Sequence, residues 1–136
     1  MKARLDHVGV VVASLDTAAD FLREALGLEL RLAPPASPDG MRIAFYGGTE
    51  KGDARLELIQ VSSPEALAAR LGDAEARIEH IAIEVDDVRQ VIDHLRARGV
   101  RFVTEEPYVL RDMLAIWTVA ESSAGIQWQL FTRLKS

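Results

Sequence analysis

Apolar residues follow two rhythms along this chain, and the same succession of rhythms occurs twice. From Arg4 to Ala13 they alternate, with Val8, Val10 and Val12 on one side and His7, Gly9 and Val11 on the other, which predicts a strand. The spacing then becomes helical. Leu15, Ala18, Ala19, Leu22 and Leu26 share a face, Ser14 is a suitable N-cap, and Gly27 is the stop. Short strands are expected at Leu28–Leu32, Met41–Tyr46 and Arg55–Val61. They are separated by the loop PPASPDG (34–40), a candidate lid, and by turn residues from Gly47 to Asp53. In the last of these strands Leu56 and Leu58 oppose Arg55, Glu57 and Ile59. A short helix follows, capped by Ser63, with Pro64 at its first position and Gly72 at its end.

The plan then restarts. Ile78 to Val85 alternates as a strand, and Asp86 or Asp87 caps a helix whose Val88, Val91, Ile92 and Leu95 share a face before Gly99. Strands are expected at Val100–Val103, Met113–Ala120 and Ile126–Thr132, with TEEPYVLRD (104–112) as a loop and SSAG as a turn. Subtraction tests the repeat. His7 and His80 stand 73 apart, as do Ser14 and Asp87, Leu15 and Val88, Ala18 and Val91, and Leu22 and Leu95. After a one-residue gap at the helix end the offset is 72, matching Gly27 with Gly99, Met41 with Met113, Phe45 with Trp117, and Leu58 with Leu130. Caps, core positions and turn glycines agree together, so the chain reads as two βαβββ modules in tandem. The expected fold is α+β. Module one covers 1–62, a connector helix 63–76 and module two 77–136, in one domain with a cupped, mostly antiparallel sheet and helices on its outer face.

The same subtraction brings chemistry into view. His7 and His80 are two of only three histidines in the chain, and Glu57 is matched by Gln129. Each module therefore offers an imidazole on its first strand and a carboxylate or amide on its last, opposite the large apolar residues. The chain has no cysteine, so a metal must be held by nitrogen and oxygen. Two imidazoles, a carboxylate and an amide oxygen suit Zn²⁺, Ni²⁺, Co²⁺, Mn²⁺ or Fe²⁺. His94 falls between core positions of its helix and is expected at the surface. Glu84 shares the face of His80 and is expected in a salt bridge. Arg55, on the face of Glu57, is a candidate anchor for an acidic substrate. Tyr108 and Arg111, in the 104–112 loop, are candidate substrate contacts. Phe45, Trp117 and Trp128 are read as core.

Composition narrows the setting. A 136-residue chain with 49% hydrophobic and 27% charged residues is of globular type and long enough for one sizeable core. A formal charge of −5 without a Lys/Arg cluster argues against nucleic acid. No apolar run is long enough to cross a membrane, and MKARLDH has no signal-peptide core, so a cytoplasmic protein with a small-molecule partner is expected.

The segments LDHVGVVV, IEHIAIEVDDV, LELIQ and GIQWQLF resemble the vicinal oxygen chelate superfamily across essentially the whole chain. That superfamily includes glyoxalase I, methylmalonyl-CoA epimerase, extradiol dioxygenases, and fosfomycin and bleomycin resistance proteins. The stretches around His7 and from His80 to Gly99 most resemble the epimerase branch. The resemblance implies metal ligands at His7, Glu57, His80 and Gln129, and a homodimer. Gln129 stands where the family usually has Glu, and Glu57 where the epimerase branch often has Gln. The implied activity is α-proton transfer on a metal-bound carbonyl substrate, with Glu57 as base, in an isomerase or lyase. Two rivals remain: a non-haem iron dioxygenase, and a metal-free protein that sequesters a drug or metabolite.

Overall fold

A computed structural model describes residues 2–48, 50 and 52–134. Thr49 and Lys51 of the expected turn lie outside the described residues. The chain forms two compact units, His7–Glu79 and the pair Met1–Asp6 with His80–Ser136.

In the first unit, β1 (Ala3–Val12, its first residues belonging to the other unit) leads into α1 (Leu15–Asp20) and a π-helical turn (Phe21–Ala25). Then come β2 (Leu30–Leu32), β3 (Arg42–Tyr46), β4 (Arg55–Gln60) and α2 (Pro64–Leu71). The strand order is β2-β3-β4-β1, antiparallel except for the parallel pair β1–β4. Ser14 caps α1 by accepting from the Thr17 N–H, and Gln60 Oε1 accepts from the Leu15 N–H at 2.7 Å. The helix rests on Val12, Ala44, Tyr46 and Leu58 through Leu15 and Leu22. On the opposite face α2 closes over Val11 and Ile59 with Leu71. Leu26, expected on the buried stripe of α1, is instead 58% exposed. The π turn widens the helix there, so the residue four past Leu22 no longer follows it toward the sheet.

The second unit repeats this order. β5 (Ala76–Val85), whose first residues fall in the other unit, is followed by α3 (Val88–Ala97), β6 (Tyr108–Leu110), β7 (Met113–Trp117) and β8 (Trp128–Arg133). The strand order is β5-β8-β7-β6, again with only the first pair parallel. Asp87 caps α3 through the Arg89 and Gln90 N–H groups, and Thr132 Oγ1 accepts from the Val88 N–H at 2.8 Å. Val88, Val91 and Ile92 bury against Val85, Ile116 and Leu130.

Two expectations change here. The stretch Val100–Val103 forms no strand, and Phe102 makes only an isolated bridge with Thr118. The strand lies later, inside the expected loop. Pro107 ends the irregular stretch, and Tyr108 and Val109, both favourable strand residues, pair together with Leu110 antiparallel to β7. The connection is tight because Arg111 adopts a left-handed φ of 55°. Among the described residues no helix is long and apolar enough to cross a membrane.

Candidate functional site

The register of the strands decides which polar side chains meet. In the first unit His7 pairs with Arg55 and Gly9 with Glu57, so Glu57 lies one same-face step along from His7. The result is a buried contact of 3.4 Å between His7 Nε2 and Glu57 Oε1. Both residues are nearly inaccessible, at 5% and 4%. Glu57 in turn faces Phe45 across the antiparallel β3–β4 pair. The Phe45 ring meets the His7 imidazole edge-on, centroids 5.3 Å apart and planes at 90°. The Arg55 guanidinium covers the same Phe45 ring at 4.6 Å, a cation–π contact.

The second unit carries a copy. His80 precedes Ile81, which pairs with Trp128, while Gln129 pairs with Ala82. Gln129 therefore stands to His80 as Glu57 stands to His7. Across the next pair Gln129 faces Trp117, as Glu57 faces Phe45. Trp117 meets the His80 ring edge-on at 5.0 Å and 86°. His80 and Gln129 are both buried, at 3% exposure each. Imidazole, aromatic wall and oxygen donor thus recur at equivalent register positions, with a carboxylate in one unit and an amide in the other.

Other candidates fall in different places. Tyr108 lies on β6 and accepts a hydrogen bond from Trp117 Nε1 at 2.6 Å. Arg111 is exposed in the β6–β7 turn. His94 is exposed on α3, as expected. Glu84 is in a salt bridge, also as expected, accepting from Arg4 at 2.5 Å. Arg4 also binds the buried Asp6 carboxylate at 2.9 Å, which Arg133 reaches from β8 at 3.3 Å. The hydrogen bond to Glu84 is the main reason that the Arg4 guanidinium holds its proton more tightly than usual. Trp128 packs on the helix side, with the α3 core.

Sequence reasoning missed the direct role of Phe45 and Trp117. Both were assigned to the core, and Phe45 is indeed buried, yet each presents a ring to a candidate histidine. A signal was available: the two aromatics are matched by the same offset that matches the polar pair. The strand-end caps Gln60 and Thr132 also carried the 72-residue offset and were overlooked.

Comparison with known proteins identifies the family and the fold. A profile of the Glyoxalase/Bleomycin resistance protein/Dioxygenase superfamily matches residues 4–130. Human mitochondrial methylmalonyl-CoA epimerase is 30% identical over 105 residues, covering 76% of this chain and 58% of its own length. The chain thus spans under two thirds of that relative. The lactoylglutathione lyase of Neisseria meningitidis serogroup A is 34% identical over 104 residues, covering 75% of this chain and 71% of the lyase. The crystal structure of methylmalonyl-CoA epimerase from Mycobacterium tuberculosis superposes with a TM-score of 0.80 at 25% identity, over 97% of this chain and 89% of that one.

Proposed function

The chain belongs to the glyoxalase/bleomycin resistance protein/dioxygenase superfamily, and from that premise we propose a metal-dependent isomerase or lyase of the epimerase and glyoxalase kind, acting on a carbonyl substrate by α-proton transfer. The observation that carries this reading is the duplicated half-site, a buried imidazole beside a buried oxygen donor in each unit. Such groups are costly to bury in a protein that does not use them. Among the described residues, His7, Glu57 and His80 have the donor types and burial to hold a metal ion, and the Gln129 amide oxygen is the fourth donor of the reading. The set fits a divalent ion of borderline character: two neutral nitrogens, one anionic oxygen and no thiolate. When bound, such an ion supplies a positive centre that polarises a carbonyl oxygen and acidifies the adjacent C–H.

The remaining work belongs to the chain. His7 Nε2 and Glu57 Oε1 lie 3.4 Å apart, two buried donors side by side. Glu57 takes the α-proton and delivers it to the neighbouring carbon on the same face. Gln129, at the matching position, is an amide and cannot serve as a second base. One base acting from one side favours isomerisation on a single face over two-base racemisation. Arg55 and Arg111 are the substrate contacts of this reading, each a fixed positive charge suited to an acidic group. The protein works in the cytoplasm as a homodimer. Support for self-association lies in the strands β2 and β6, each last in its unit's strand order and carrying the exposed Leu30, Leu32 and Val109.

Elemental analysis of protein purified without added metal, combined with assays for methylmalonyl-CoA epimerisation and lactoylglutathione formation, tests the reading. About one divalent ion per chain, turnover abolished by a chelator, and turnover lost in Glu57→Gln are expected. A metal-free protein that binds small molecules without turnover overturns the enzymatic reading. Oxygen uptake with Fe²⁺ and a catechol replaces it with a dioxygenase. Full activity in Glu57→Gln removes Glu57 as the base.

A further inference from the structure

We infer that Tyr108 is a positioning residue for His80, acting through Trp117; the inference rests on the reading of His80 as a metal ligand. Tyr108 pairs with Ala115 across the β6–β7 ladder, and Trp117 lies two residues beyond Ala115 on the same face. The phenol therefore reaches along the diagonal to the indole, whose Nε1–H donates to Tyr108 OH at 2.6 Å. The same indole meets the His80 imidazole at 5.0 Å, nearly perpendicular. Three side chains, on β6, β7 and β5, thus form one chain of contacts, Tyr108 to Trp117 to His80.

Its purpose is geometric. A metal-ligating imidazole must hold its ring plane, and groups behind the ligand usually fix that orientation. Here the wall behind His80 is an indole, which can itself turn about its terminal torsion. A hydrogen bond to the indole N–H removes that freedom. Tyr108 is 38% exposed, so its phenol gives up water to accept this bond and gains little net stability by doing so.

The first unit gives an internal control. Phe45 makes the same edge-on contact with His7, but a phenyl ring has no N–H to anchor. Its brace is the Arg55 guanidinium, stacked over the ring face. Each imidazole has an aromatic wall, and each wall has a brace suited to its chemistry. The assignment also separates Tyr108 from Arg111, its partner in the sequence-based list of substrate contacts. Tyr108 serves the histidine, whereas Arg111 sits in the hairpin turn.

The test is a Co²⁺ titration followed by visible absorbance on the full chain, with the wild type, Tyr108→Phe, Trp117→Phe and the double variant. Tyr108→Phe is expected to bind Co²⁺ about tenfold more weakly, with an altered visible band and an unchanged melting temperature. In the Trp117→Phe background the same change is expected to cost nothing further, because no indole N–H remains to be held. Wild-type affinity and spectrum in Tyr108→Phe overturn the inference. So does an equal loss from Tyr108→Phe in both backgrounds, which would mean that the phenol acts without the indole. If the wild type takes up no Co²⁺, it is the metal reading that fails. The positioning role is then read from the His80 ring resonances in metal-free protein: broadened in Tyr108→Phe they uphold it, unchanged they overturn it.

Discussion

The two modules share a register but not a filling, and the difference separates what the backbone fixes from what side chains negotiate. In both, the first helix is secured at its start by a side chain from the last strand, Gln60 to Leu15 N–H in one and Thr132 to Val88 N–H in the other. Both helices also close with one bond, Leu28 N–H to the Leu22 carbonyl and Val100 N–H to the Leu95 carbonyl, each at 3.0 Å. Between those fixed ends module one has six α-helical residues and a five-residue π turn, against ten residues in α3. The extra residue is taken up as a π turn rather than by shifting the sheet. The packing varies more freely. Ala18, Ala19 and Ala44 of module one stand where module two has Val91, Ile92 and Ile116, while Tyr46 stands where it has Thr118. Each module consequently has an open pocket in a different place. One cavity of about 320 Å³ lies between α1 and β3, lined by Ala19 and Ala44. Another of about 320 Å³ lies beside Thr118, lined by Leu95, Trp128 and Leu130.

The largest effects should come from the element that both modules keep. His7→Ala and His80→Ala are each expected to weaken Zn²⁺ binding about a hundredfold or more, since losing a ligand exceeds the cost of losing its support. Isothermal titration of the two variants measures whether the halves contribute equally. A loss confined to one of them would show that a single half-site holds the ion. Packing should divide the modules instead. Ile116 is fully buried, and Ile116→Ala is expected to cost about 3 kcal/mol in denaturant unfolding. Its register mate, changed the opposite way in Ala44→Ile, builds into the module-one cavity and should alter stability by less than about 1.5 kcal/mol. Equal and large losses from both would mean that the cavity beside Ala44 has no room to give.

That division explains how much of the molecule could be read in advance. Strand register is written in alternation, and helix ends are written in caps and glycines, so the βαβββ order and the His7, Glu57, His80 and Gln129 positions followed from one subtraction. The short strand β6 did not. Three residues, Tyr108 to Leu110, are too few for alternation to register, and they lie between the loop signals of Pro107 and the Arg111 turn. The π turn was visible only as a one-residue change of offset, which says that a residue is added without saying what shape absorbs it. Contacts such as Trp117 with Tyr108 depend on the diagonal reach of side chains between strands, and no periodicity encodes that.

A smaller effect would sharpen the difference in oxygen donor between the half-sites. Gln129→Glu gives the second half-site the carboxylate that Glu57 supplies in the first. Added ligand charge should tighten divalent-ion binding about tenfold, and the new carboxylate supplies a second proton acceptor. In an assay run in D₂O, the wild type should transfer part of the substrate's own α-proton to product, since one base both removes and returns it. The Gln129→Glu product should carry more deuterium. Identical deuterium content in the two would mean that Gln129 does not stand where a base could act.

The smallest predicted effect is the most direct test of the comparison between helices. Glu24 sits in the π turn with its side chain 75% exposed, and its contact with Arg23 is a surface ion pair of little energetic weight. Deleting it leaves ten residues between Leu15 and Ala25, the length of α3, and shortens the closing bond from Leu28 to Leu22 to the span already used by Val100 and Leu95. Leu15 and Leu22, which anchor the helix to the sheet, keep their spacing because both precede the deletion. The helix should therefore revert to a plain α form, with unfolding free energy changed by less than about 1 kcal/mol in either direction. A loss of several kcal/mol would mean that the sheet requires the wider turn, and that the extra residue shaped module one rather than being absorbed by it.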